Sequence, residues 1–254
     1  MCPDISKNQR RTHARSANYW KVLYMTTKNA LSVGFLLFPQ LTQLDLTGPY
    51  EVFARAPDMT VHLIWKNREP VLSDSNLAIV PTTTFAECPP IDIICVPGGP
   101  GQVDLMEDQE TLAFLKRVAS TAKLVTSVCT GSLILGAAGL LKGYRATSHW
   151  SSIDQLSLLG AEPVHERVVW DRNRVTGAGV TSGIDFALTV VADLYGSDIA
   201  QGIQLALEYD PKPPFKTGSP AEAPEALVEA ARSAMVAPLA RRRAVTERAA
   251  KGLL

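Results

Sequence analysis

The sequence predicts an α/β fold, one doubly wound domain with a mainly parallel sheet and helices on both faces. Three observations predict it. Continuous apolar runs such as "LSVGFLLF" (31–38) and "IDIICV" (91–96) have the length and composition of strands buried on both faces. Segments with helical spacing alternate with these runs through short loops, which implies parallel βαβ units. At one strand-to-helix junction, "SVCTG" (127–131) has the form small-x-nucleophile-x-small, the spacing of a nucleophile elbow.

In chain order, the run 31–38 is a strand ended by Pro39. Asp45 or Thr47 caps a helix beginning near Pro49, since proline suits the first helical turn. "TVHLIWK" alternates and reads as strand. "LAIVPTTTF" is a further short strand and turn, paired as a hairpin with the segment before it. "IDIICVPGG" is a strand closed by Gly98 and Gly99. "DQETLAFLKRVAST" places apolar residues at 112, 115 and 118 after Asp108, the pattern of an amphipathic helix. "KLVTSV" is a strand, and a helix follows it, starting at Cys129. Helices are expected in "SIDQLSLLGAE", "GIDFALTVVADLYG" and "SDIAQGIQLALEY" (197–209), with two strands around the D-R-N-R turn at 171–174. "DPKPPFKTGSPAEAP" breaks the pattern and should run extended over the surface. Residues 224–254 are Ala- and Arg-rich with helical spacing.

Composition narrows the function. The 254 residues carry 25 Lys+Arg and 25 Asp+Glu, so there is no overall basic excess of the kind nucleic-acid binders show. No apolar run approaches the ~20 residues of a membrane helix. The four cysteines (Cys2, Cys88, Cys95, Cys129) form no C-x-x-C pair, and four histidines (His13, His62, His149, His165) lack metal-ligand spacing, so no metal and no cofactor is expected. Reduced thiols in a cytoplasm are the default. Residues 1–28 hold six Lys/Arg and one acid, Asp4, with no apolar core for a secretory signal. They read as a transit peptide, a disordered extension or an over-long start. The remainder, 29–254, reads as a single domain. The basic cluster Arg241, Arg242, Arg243 reads as a solvated helix face or a dimer contact.

Three strand ends carry candidate chemistry, and binding sites in doubly wound sheets lie at the carboxyl ends of strands. Cys129 is either a small hydrophobe of the core or a nucleophile whose small neighbours permit a sharp turn. In the second case a helix amino terminus would lower its pKa. Gly98 and Gly99 either donate amides to developing negative charge or merely close a strand. Asp45, between Leu44 and Leu46, is a carboxyl with a raised pKa or a helix N-cap, and both hold at once. His149, twenty residues after Cys129, is a base or a locally bonded histidine.

These residues together resemble the DJ-1/PfpI superfamily, from Leu31 to about Tyr209. The segments "GFLLFPQLTQLDLTGPYEVFA", "PGGPG", "SVCTGSLILGAAGLLKGYRATSHW", "HERVVWDRNRVTGAGVTSGIDFAL" and "LEYDPKPPFKTGSP" are similar to its isocyanide hydratase branch. The resemblance implies a flavodoxin-like domain, a homodimer, and addition of water to an isocyanide to give an N-substituted formamide. It implies Cys129 as nucleophile, Asp45 as general acid/base and Thr130 beside them, with Gly98, Gly99, His149 and Val180 binding substrate. Protease-like members have His directly after the nucleophile; here that position is Thr130, which argues against proteolysis. Rival readings are a glyoxalase- or deglycase-like thiol activity, a redox sensor, and a regulator-type amidotransferase-like domain. The last normally precedes about 100 residues of helix-turn-helix, and only about 45 residues follow Tyr209.

Overall fold

The computed structural model describes residues 30–253; the basic segment 1–28 lies outside the described residues. A seven-stranded sheet forms the centre. Its strands are β1 (Leu31–Leu36), β2 (Met59–Trp65), β5 (Thr83–Thr84), β6 (Ile93–Val96), β7 (Leu124–Val128), β10 (Val168–Asp171) and β11 (Arg174–Gly177). The order is β10-β11-β7-β6-β1-β2-β5. All neighbours are parallel except the edge pair β10–β11, which the D-R-N-R turn joins as an antiparallel hairpin.

From β1 the chain steps to β2 on one side, while β6 lies on the other. The gap between the carboxyl ends of β1 and β6 is therefore the topological switch point, where such sheets hold their ligands. Helices α1 (Gln43–Phe53), α2 (Gln102–Leu105), α3 (Gln109–Ala119), α4 (Gly131–Ala137), α5 (Ser182–Tyr195), α6 (Ser197–Ala206), α7 (Glu225–Ala234) and α8 (Val236–Lys251), a 3₁₀ helix at Ile153–Leu159 and two small pairs, β3 (Val71–Leu72) with β4 (Ala78–Ile79) and β8 (Arg145–Ala146) with β9 (Glu162–Pro163), make up the remaining regular structure of the described residues. β6 and β7 are buried at every position, which is why their sequences show no alternation. Phe35, Phe53 and Phe186 meet in tilted and edge-on contacts that clamp α1 and α5 to the sheet. Each such fully buried ring contributes about 1.5–3 kcal/mol. One contiguous core runs from Val33 to Val245, so α8 belongs to the same body as β1.

Several elements differ from expectation. Helix α1 starts six residues before Pro49, with Thr42 as N-cap, Asp45 inside the first turn and Pro49 in the interior. The cap thus lies about one turn before the position that a first-turn proline implies. The segment "LAIVPTTTF" divides: β4 (Ala78–Ile79) pairs antiparallel with β3 (Val71–Leu72), while β5 joins the main sheet parallel to β2. The "SIDQLSLLG" stretch winds as 3₁₀ rather than α-helix and closes on Gly160 in the left-handed region. Helix α4 begins at Gly131, two residues after Cys129. Residues 210–218 are exposed, as the Pro-rich composition predicts, but the Ala/Arg-rich segment forms two helices, α7 and α8, instead of one.

Candidate active site at the Cys129 elbow

Strand β7 delivers Cys129 into a turn with φ of 57°, a left-handed conformation that non-glycine residues adopt at some cost. The turn is held from both sides. The Cys129 N–H donates to the carbonyls of Gly177 (3.0 Å) and Ala178 (2.7 Å). Its own carbonyl accepts from Ser132 Oγ and Ser148 Oγ, each at 3.1 Å. The small residue after Thr130 has a steric cause: a Cβ on Gly131 would stand 2.0 Å from the Val96 carbonyl oxygen.

Asp45 reaches the same place from α1, across the switch point, and is fully buried. Its Oδ2 accepts from the Gly98 N–H at 2.8 Å, whereas Oδ1 has no hydrogen-bond partner. The Cys129 thiol is the acidic group beside it. Burial raises the carboxyl from 3.8 to about 7; the Gly98 N–H and the neighbouring thiol pull the other way but do not win, and Asp74 adds a small upward push. Residues 98–101 are welded to the loop that starts α1, since Thr42 N–H donates to Gly98 O (2.9 Å) and Gly101 N–H to Gln40 O (3.2 Å). Gly98 has no room for a side chain: a Cβ would lie 2.6 Å from both the nitrogen and Oγ1 of Thr130 and 2.9 Å from Asp45 Oδ2.

The structure thus brings together Cys129, Asp45, Thr130, Gly98 and Gly99. Two expectations about them change. The amides of Gly98 and Gly99 are already taken, the first by Asp45 and the second by Thr130 Oγ1 at 3.2 Å, so both glycines orient side chains rather than stand open to a ligand. The thiol is not poised as a thiolate. Burial, then the Asp45 carboxyl, hold Cys129 well above its ordinary value, against the opposing pull of the Thr130 N–H and of Arg242. The helix terminus lies too far along, and the site is too dry, for the dipole to prevail. Thr130 is buried and its hydroxyl does not cap α4; among the described residues nothing accepts its hydrogen, so it is free to donate into the site.

His149 is half-buried next to the elbow loop but is bonded locally. Its Nδ1 accepts from the Ser151 N–H (3.3 Å) and lies 2.8 Å from Ser151 Oγ. Burial and the nearby Arg242 charge lower its pKa, so the ring is neutral, with its proton on Nε2. No hydrogen bond joins it to the thiol or to Asp45. Val180 sits half-buried in the turn after β11, adjoining the carbonyls that hold Cys129.

The sequence reading missed Arg242. Arg241 pairs with Asp104 and Arg243 with Glu247, as a solvated face should. Arg242 instead turns inward, with Nε on Gln102 Oε1 (2.9 Å) and Nη1 on Ser152 Oγ (2.8 Å). The signal was present in the spacing: residue 242 is three and four positions before Val245 and Thr246, the buried residues of α8.

A model described as the DJ-1/PfpI family matches residues 31–193. The chain is 58% identical over 224 residues to the isonitrile hydratase of Pseudomonas putida, which covers 88% of this chain and 98% of that protein. A crystal structure of a ThiJ/PfpI family protein from Pseudomonas syringae superposes with a TM-score of 0.84 at 41% identity, covering 97% of each chain. A DJ-1 superfamily protein from Salmonella typhimurium gives 0.65 at 26% identity, over 72% of this chain and 100% of its own.

Proposed function

This chain belongs to the DJ-1/PfpI family, and from that premise we propose that it is a cysteine-dependent isocyanide hydratase, a hydro-lyase that converts R–N≡C to R–NH–CHO. The likeness to the isonitrile hydratase of Pseudomonas putida carries the reading. The geometry around Cys129 supplies what the chemistry needs.

An isocyanide carbon is attacked by a nucleophile and takes up a proton at the same atom. A protonated thiol beside a carboxyl with a pKa of about 7 suits that addition. As the Cys129 sulfur bonds to the carbon, its proton passes to Asp45 and from Asp45 to that carbon, giving the thioimidate R–N=CH–S–Cys129. Asp45 then takes a proton from water, whose oxygen adds to the same carbon, and passes that proton to the nitrogen. The C–S bond breaks, the new oxygen keeps a double bond to carbon, and its hydrogen returns to sulfur. The free Thr130 hydroxyl donates to the substrate nitrogen, and Gly98 and Gly99 hold Asp45 and Thr130 in place. His149 and Val180, on the loops beside the elbow, bound the space for R. Splitting the hydration into two steps replaces one high barrier with two lower ones.

We place the enzyme in the cytoplasm as a homodimer. The described cysteines are all free thiols, and α7 is amphipathic yet buries no residue within its own chain. The direct test offers an alkyl isocyanide to the wild-type protein and to Cys129→Ala and follows the formamide. Turnover is expected from the first and a loss of at least about 10³-fold in the second; equal rates would sink the reading.

A further inference from the structure

Arg242 carries a charge that the other described residues leave unanswered. Its guanidinium is held by two neutral groups, the Gln102 amide oxygen and the Ser152 hydroxyl, and no carboxylate pairs with it among the described residues. Both partners are fully buried. A largely buried cation without a counter-ion is costly, and perturbed charges of this kind cluster at functional sites.

Its placement identifies the site. Gln102 directly follows the 98–101 loop that holds Asp45 and Thr130. Ser152 lies four residues after Ser148, whose hydroxyl fixes the Cys129 carbonyl, and its N–H donates to the His149 carbonyl at 2.9 Å. Arg242 thus bridges the two loops that wall the thiol. Among the described residues the charges that act on the sulfur are Asp45 from α1 and Arg242 from α8, while the neutral His149 on the intervening loop faces Arg242 alone. Asp74 and the buried Cys95 act only on or through Asp45. Arg242 is the sole positive member of that set. It also lies beyond residue 193, where the match to the family model ends, so the common fold does not by itself supply this charge.

We propose that Arg242, delivered by the C-terminal helix, is the cationic positioning residue of the Cys129 site: fixed between the two loops that wall the thiol, it holds the negative charge that sulfur carries when it leaves the water adduct of the thioimidate. The leaving step rests on the isocyanide reading; the charge effect on sulfur does not.

The experiment therefore reads the thiol directly. Cys129 is alkylated with iodoacetamide at a series of pH values in wild type, Arg242→Met, Arg242→Lys and Gln102→Glu, and the modified peptide is quantified by mass spectrometry. Gln102→Glu sets a carboxylate against the guanidinium and cancels its charge without removing its packing, so the test survives if Arg242→Met fails to fold. A thiol pKa raised by about one unit cuts the thiolate about tenfold, of which the more basic sulfur regains about threefold in reactivity. Alkylation is thus expected to slow about threefold or more in Arg242→Met and Gln102→Glu and to stay near wild type in Arg242→Lys. With an alkyl isocyanide, kcat should fall with KM little changed. Unaltered alkylation in Gln102→Glu and folded Arg242→Met overturns the proposal. So does a rise in KM confined to a carboxylate-bearing isocyanide, which would mean that Arg242 reads the substrate instead. Absence of formamide from the wild type, with the alkylation shifts present, would refute the hydratase reading and leave this one standing.

Discussion

At the scale of single residues, Asp45 sets the pH behaviour. Its folded-state value of about 7 exceeds the ordinary 3.8, so the folded chain holds that proton more tightly than the unfolded chain. Its contribution to stability is complete below about pH 3.8 and is lost as pH rises through 7. Asparagine keeps an acceptor for the Gly98 N–H and has no charge to bury. Asp45→Asn should therefore melt higher than wild type at pH 8, by an amount on the order of 2–4 kcal/mol, with the gap closing toward pH 4. The same carboxyl must be ionised to receive the thiol proton, so kcat/KM of the wild type should drop on the acid side of about pH 7. The variant should lose nearly all turnover. Melting curves and initial rates across pH check both statements. The sequence foretold a raised value from the apolar neighbours Leu44 and Leu46. It misjudged Cys129, because the sulfur's environment depends on a carboxyl and an arginine brought from opposite ends of the chain.

At the scale of elements, the site depends on how loops interlock at the switch point. Strands β1 and β6 were legible as unbroken apolar runs, and the elbow as small residues around a thiol. The start of α1 was not, because Pro49 imitated a first-turn proline while tertiary contacts stabilised the turn before it. Nor was the 3₁₀ form of residues 153–159, since its apolar spacing fits an α-helix equally well. The interlock itself predicts a sensitive position. In Gly98→Ala the new methyl group would press on the Thr130 amide, the Thr130 hydroxyl and Asp45 Oδ2 together. Destabilisation of about 1–3 kcal/mol is expected, with kcat reduced at least about tenfold because the acid and the hydroxyl move apart. Thermal melting and steady-state kinetics separate the two effects.

For the whole molecule, the last fifty residues divide into a part that is tied down and a part that is not. Helix α8 packs on the core through Val245 and Thr246 and carries Arg242. Helix α7 shows Leu227, Val228, Ala231 and Met235 along one side and buries none of them in its own chain. A ten-residue helix of this kind gains its stability from a covering surface rather than from propensity. In the proposed homodimer that surface is the second copy. Leu227→Glu should shift the protein toward monomer in sedimentation velocity while leaving the Cys129 alkylation rate unchanged; an unaltered dimer would place the interface elsewhere. The Pro-rich run before α7 announced only an interruption, and composition alone does not say which helix turns back onto the core.

The way Asp45 is held has a consequence for the timing of the reaction. One oxygen is occupied by the Gly98 amide and the other is open. The open oxygen is then a single berth through which every proton must pass. It must discharge its first passenger onto carbon before it can accept one from water. In the proposed reaction one backbone hydrogen bond thus sets the two halves of the hydration in strict succession, and water that arrives while the open oxygen still carries the thiol's proton finds no vacant base to serve it.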